Sequence, residues 1–157
     1  MTAAVLHLAM TLAWVAMTGS TQPANVARGL GVTYVALWWA RPLLGPTRYF
    51  EQVPAALALA RVFAWELLKS NVRVARDVIA IHPKRRTGIV AVPLDAESDV
   101  EITLLANLIT LTPGTLSVDV STDRKVLFVH AMFIDDADEV RQSIKENFEQ
   151  RILKLTR

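Results

Sequence analysis

"LLANLITLTPGTLSVDV", residues 104–120, decides the fold of this chain. No residue from Ile102 to Val118 carries a charge, and a stretch that long and apolar can be mistaken for a membrane span. Pro113-Gly114 interrupts it where a spanning helix would have to continue. Proline lacks the N–H that extends a helix, and glycine favours the left-handed exit from one. Just upstream, "SDVE" at 98–101 is a capping box, with Ser98 at the N-cap and Glu101 three residues on. It predicts a helix running to about Leu111. Downstream, "TLSVDVS" alternates, with Leu116, Val118 and Val120 on one face and Ser117 and Asp119 on the other, which predicts a strand over Thr115–Ser121. The charge-free run is therefore expected to be two elements of an aqueous domain. Thr112, Pro113, Gly114 and Thr115 form the turn that lets Leu111 and Leu116 reach one core.

The surrounding sequence completes that domain. "GIVAVPL" at 88–94 is β-rich, and Pro93 suits an edge or a strand end. "KVLFVHAMF" follows the polar turn "TDRK", so it predicts the second arm of a hairpin. The last helix, about Asp136 to Leu155, turns Val140, Ile144, Phe148 and Ile152 inward. Residues 87–157 thus read as a small α+β unit, β-α-β-β-α, a ferredoxin-like fold short of its fourth strand. Its first helix is apolar nearly all round, so one sheet cannot cover it. Its other side is expected to meet lipid, the amphipathic surface helix upstream or another protein. Asn107 on that helix is expected to be a satisfied buried amide.

The N-terminal part is different. Of 157 residues, 52% are apolar, and the mean hydropathy is +0.32. Both values exceed those of an ordinary small soluble domain. There is no cysteine, which excludes disulfides and thiolate chemistry. The formal net charge is only +2, yet residues 1–40 hold a single charged residue, Arg28. Two apolar segments, Ala3–Thr18 and Ala24–Leu44, predict a transmembrane helical hairpin over residues 1–46. Trp38, Trp39 and Arg41 trim the end of the second segment as interfacial residues do. The connecting "GSTQPAN" lacks Lys and Arg, whereas basic residues abound after Arg41, so both termini and the C-terminal domain are expected in the cytoplasm. A cleaved signal peptide is disfavoured, because a basic n-region is missing. Ala9, Ala13 and Ala16, and the pair Ala27 and Gly31, either allow close helix packing or are ordinary lipid-facing residues.

Residues 47–86 predict an amphipathic membrane-surface helix, opened by Pro54 and closed by Pro83, and a linker. Glu66, Lys69, Arg73 and Arg76 make one polar stripe at spacings of three and four. The competing reading is a third span whose charges face other subunits. Lys84, Arg85 and Arg86 in "HPKRR" suit contact with anionic lipid headgroups. Arg28, Glu66 and Lys69 are the candidates for an ion path or an interface.

Catalytic chemistry finds no support. His7, His82 and His130 have no metal-ligand spacing. Ser117, Asp119 and His130 could meet across the hairpin, but no nucleophile elbow or oxyanion site accompanies them, and a solvated strand face is expected. No phosphate loop or dinucleotide fingerprint occurs, and no aromatics interleave the basic run as nucleic-acid binding would want. No catalytic, ligand-binding or metal residue and no cofactor is nominated, and the chain is not expected to be an enzyme.

"GIVAVPL", "ANLITLTPGTLSVDVS", "VHAM" and "F-E-x-R-I" together resemble the E subunit of the Mrp-type multisubunit Na+/H+ antiporter family. The likeness covers essentially the whole chain, and "LITLTPGT" is its most specific part. It implies a multi-pass component of a bacterial plasma-membrane complex of about seven subunit types that exchanges Na+ for H+. In that family two large subunits, similar to the antiporter modules of respiratory complex I, carry the ion paths. The E subunit is an accessory member with a scaffolding or assembly role. The partners so implied are the other membrane subunits and membrane lipid. The alternative is a membrane-anchored regulatory or ligand-sensing module that works outside any antiporter.

Overall fold

The computed structural model of the chain describes residues 2–81 and 86–157. They fall into two compact units, divided between Val53 and Pro54.

The first unit contains α1 (Thr2–Thr18), α2 (Pro23–Trp39), the single turn α3 (Arg41–Leu44) and the start of α4 (Tyr49–Ile79). α1 and α2 are 17 residues each. Among the described residues no helix is both long and apolar enough to cross a membrane. The segment expected to run unbroken from Ala24 to Leu44 stops at Trp39, and Ala40 separates it from α3. Pro42 explains the break, since it cannot donate back along the helix and it restricts Arg41. α4 starts five residues before the expected Pro54. The Thr47 hydroxyl accepts the Tyr49 N–H at 3.3 Å, and the Arg48 carbonyl accepts from Glu51 and Gln52. Pro54 therefore lies inside the early turns of α4.

α1 and α2 pack through Thr11, Thr33, Trp14 and Gly29, and the small residues singled out in the sequence lie off this contact. Ala9, Ala13, Ala16, Ala27 and Gly31 are exposed. Thr11 and Thr33 are buried against each other, with their hydroxyl oxygens 3.0 Å apart. Gly29 gives Trp14 its place: a Cβ there would sit 2.7 Å from Trp14 Cδ1.

The second unit contains the rest of α4, then β1 (Gly88–Pro93), α5 (Asp99–Leu111), β2 (Thr115–Val120) and β3 (Val126–Ala131). The last helical stretch is α6 (Ala137–Ile144), a π turn (Lys145–Glu149) and α7 (Gln150–Thr156). β3 lies between β1 and β2 and is antiparallel to both. The Ser98–Glu101 capping box forms as expected. Val90 and Val92 of β1, Leu127 and Val129 of β3, and Leu105 and Ile109 of α5 form the core with Ile144, Phe148 and Ile152. Burying each such side chain contributes roughly 1.5–3 kcal/mol. Leu59 of α4 belongs to the same core, and Phe63 packs on it.

Two core expectations fail. Leu111 and Leu116 are 62% and 49% exposed, and Asn107 is exposed too. The register of β2 against β3 shifts between Ser117 and Asp119. Opposite the buried Ala131, Val129 and Leu127 stand Thr115, Ser117 and Val120. Leu116 and Val118 therefore turn to the open side of the sheet.

Candidate functional site

The turn at the centre of the opening stretch is built by threonines. Thr112 is extended (φ −83°, ψ 118°), as a residue before proline must be, and Gly114 has φ +90°. The last carbonyls of a helix lack backbone donors. Here the Thr112 hydroxyl donates to Leu108 O at 2.9 Å, and the Thr115 hydroxyl donates to Ile109 O at 2.6 Å. The Ser117 hydroxyl donates to Ala106 O at 3.0 Å, and Thr110 Oγ1 accepts the Ser117 N–H at 3.2 Å. Helix, turn and strand are thereby locked together by side chains.

This turn forms one wall of a cleft of about 310 Å³. Glu66, Lys69, Ser70 and Arg73 of α4 form a second wall, and Phe133, Asp135, Asp136 and Glu139 a third. Glu66 and Lys69 are thus brought to the same place as Thr112, Pro113, Gly114 and Thr115. Glu66 Oε1 lies 3.4 Å from Lys69 Nζ and accepts from Asn147 Nδ2 at 3.5 Å. The Arg73 guanidinium carbon stands 5.8 Å from the centre of the Phe133 ring. Basic groups on one wall oppose carboxylates on another, an arrangement suited to ion pairing. Among the described residues no group of three or more His, Asp or Glu side chains could hold a metal ion.

The other nominated residues stand elsewhere. Arg28 is exposed on α2, in the first unit. Lys84 and Arg85 lie outside the described residues. Arg86 is exposed, and its backbone carbonyl accepts the Ile134 N–H at 2.9 Å. Ser117 points at α5, whereas His130 stands opposite Leu116 on the other side of the sheet, so Ser117, Asp119 and His130 do not converge.

Two polar sets escaped the sequence reading. In the first unit His7 Nε2 lies 2.9 Å from Leu30 O. A carbonyl only accepts, so Nε2 carries the proton and Nδ1 accepts the Tyr49 hydroxyl. Tyr34 and Phe50 complete an aromatic cluster around this pair. Asn25 Nδ2 donates to the Thr18 hydroxyl and to Ser20 O, both at 2.7 Å. The available signal was the four-residue spacing of His7 and Thr11 on one apolar helix.

The second set is a pair of buried carboxylates. Glu149 is 1% exposed, and its Oε1 accepts the N–H groups of Asp95 at 2.6 Å and Ala96 at 3.0 Å. Lys145 Nζ lies 3.2 Å from its other oxygen and 2.7 Å from Asp95 Oδ2. Burial lowers the Lys145 pKa, but the bonds to Asp95 and Glu149 outweigh it and leave the pKa raised. Glu101, also buried, accepts the Thr156 hydroxyl at 2.6 Å, the N–H groups of Glu97 and Ser98, and the Arg157 guanidinium. The Thr156 hydroxyl and then the Ser98 N–H hold its pKa well below the usual carboxylate range. "F-E-x-R-I" is thereby explained: Phe148 and Ile152 fill the core while Glu149 fastens the β1–α5 loop. The π turn carries both Phe148 and Glu149.

Residues 7–155 match the family described as MNHE, Na+/H+ ion antiporter subunit. The chain belongs to this family. It is 33% identical to the E subunit of the Na(+)/H(+) antiporter of Bacillus subtilis (strain 168) over 153 residues, which cover 98% of this chain and 97% of that protein. The E1 subunit of the Na(+)/H(+) antiporter of Staphylococcus haemolyticus is 35% identical over 96% of this chain and 95% of its own. A chain in the Mrp complex from Dietzia sp. DQ12-45-1b is 31% identical, covering 60% of this chain and 89% of its own, with a TM-score of 0.49. A chain of the archaeal membrane-bound sulfane sulfur reductase shares the fold, with a TM-score of 0.60 over 96% of both chains at 23% identity. The antiporter resemblance read from the sequence motifs therefore holds for almost the full length.

Proposed function

We propose that the chain is an accessory subunit of an Mrp-type Na+/H+ antiporter complex, with a scaffolding role and no catalysis of its own. The observation that carries this reading is how the buried polar groups are used. The buried Glu101, Glu149 and Thr112 and the half-buried Thr115 all bind backbone groups of the domain itself. They fasten a shape; none is aimed at a transported ion.

In this reading residues 1–46 are a hairpin in the bacterial plasma membrane, with both termini and the ferredoxin-like domain of residues 87–157 in the cytoplasm. Support comes from the outside of the hairpin, where Leu8, Leu12, Val32 and Val35 are all exposed and apolar. At about 1.5 Å per residue, α1 and α2 are somewhat shorter than a hydrocarbon core of about 30 Å. Local thinning and the interfacial Trp38, Trp39 and Arg41 accommodate such a mismatch. The other membrane subunits of the complex are the partners.

The test is affinity purification of the tagged chain from membranes of its own host. The other antiporter subunits should co-purify, and deleting the chain should reduce the assembled complex. Purification of the chain alone, with exchange unaffected by its deletion, would sink this reading. That outcome would favour a membrane-anchored ligand-sensing module, for which the cleft between α4 and the Thr112–Thr115 turn offers a site.

A further inference from the structure

α4 carries two apolar faces, and only one of them has a partner in its unit. Leu59, Phe63 and Glu66 face the core and the cleft. Trp65, Leu68 and Val72, one helical turn apart in succession, point the other way and are 63%, 57% and 41% exposed. Arg61, Lys69 and Arg76 are exposed around them. Neither carboxylate between Leu57 and Ile79 lies on this side. Glu66 is in the cleft beside Lys69, and Asp77 is five helical turns after Leu59, on the inward side.

We infer that the outward face of α4 rests on a bilayer surface rich in anionic phospholipid, with Trp65, Leu68 and Val72 at the headgroup–acyl boundary and Arg61 and Arg76 on lipid phosphates. A basic helix face with an apolar centre and no carboxylate complements such a surface in both charge and depth. Tryptophan prefers that boundary, where its ring is buried and its N–H stays wet. The inward face meanwhile holds the α+β domain, so α4 joins the domain to the membrane surface. The inference depends on the hairpin being the membrane anchor, and the experiment separates the two claims.

Because the chain has no cysteine, single-site labelling is direct. The full chain carrying Leu68→Cys, Ser70→Cys or Leu12→Cys is labelled with bimane. Each is reconstituted in vesicles of phosphatidylcholine alone or mixed with phosphatidylglycerol. Nitroxide lipids and aqueous iodide serve as quenchers. With phosphatidylglycerol present, the probe at position 68 should be quenched by nitroxide lipid several-fold more than the probe at 70, and shielded from iodide. Arg61→Gln with Arg76→Gln should shrink that difference, as should high salt. Free access of iodide to position 68, with position 12 still quenched by lipid, overturns the inference and leaves the anchor standing. Shielding of 68 from both quenchers overturns it in favour of a protein cover. Absence of lipid quenching at position 12 overturns the anchor itself.

Discussion

The hydroxyl of Thr115 donates a 2.6 Å hydrogen bond to the carbonyl of Ile109, joining the first residue of β2 to the last turn of α5. The bond exists because Pro113 and Gly114 fold the chain back between them. Gly114 holds φ +90°, and a Cβ there would touch Phe133 at 3.5 Å. Gly114→Val should therefore cost on the order of 1–3 kcal/mol, mostly as backbone strain. A domain this small has little stability in reserve. Limited proteolysis should cut the variant domain faster, and native gels should show less assembled complex. Exchange per complex should be unchanged.

The hairpin makes a sharper steric prediction. At Gly29 an added Cβ would lie 2.7 Å from Trp14, so Gly29→Val should separate α1 from α2 and lower the amount of chain retained in the complex. Trp14→Ala in the same chain should recover part of the loss. No such effect is expected from Gly31→Val, because nothing stands within 4 Å of that position. Quantitative blotting of native gels distinguishes the three variants.

Acid should weaken the α+β domain through Glu101. Its folded pKa lies below the unfolded value of about 4.3, lowered first by the Thr156 hydroxyl. A depressed carboxylate stabilises the fold fully above its unfolded pKa, and that stabilisation is lost as the pH falls toward the folded value. Thermal unfolding of the full chain should thus drop in temperature as the pH falls below about 5. Glu101→Gln should lower stability at neutral pH by roughly 1–3 kcal/mol and flatten the acid dependence. An unchanged acid slope would assign the effect to other carboxylates.

Much of this was legible beforehand, and the misses share a cause. Periodicity and caps located β1, α5, β3 and the inward face of the last helix, because each depends on neighbours in sequence. The bulge after Ser117 depends on the pairing with β3, so it moved Leu116 out of the core without any local mark. The interface of α1 with α2 stayed open between two readings for a similar reason. Small residues signal close packing only when they face the partner, and which side faces it is set by Thr11, Thr33 and His7. The cleft unites Glu66 and Lys69 with the Thr112–Thr115 turn across more than 40 positions of sequence, a separation that no spacing rule spans. The burial of Glu149 leaves no mark in its own helix, because the loop amides it holds are remote in sequence.

The central claim is that this chain scaffolds the antiporter and conducts nothing. Glu66 is the carboxylate best placed to contradict it, being paired with Lys69 and largely shielded in the cleft. The decisive measurement is Na+-dependent proton exchange in everted membrane vesicles from cells carrying Glu66→Gln, divided by the amount of intact complex on a native gel. The account predicts normal assembly and exchange per complex that falls only mildly. Normal assembly with exchange abolished would put Glu66 in the ion path and contradict it.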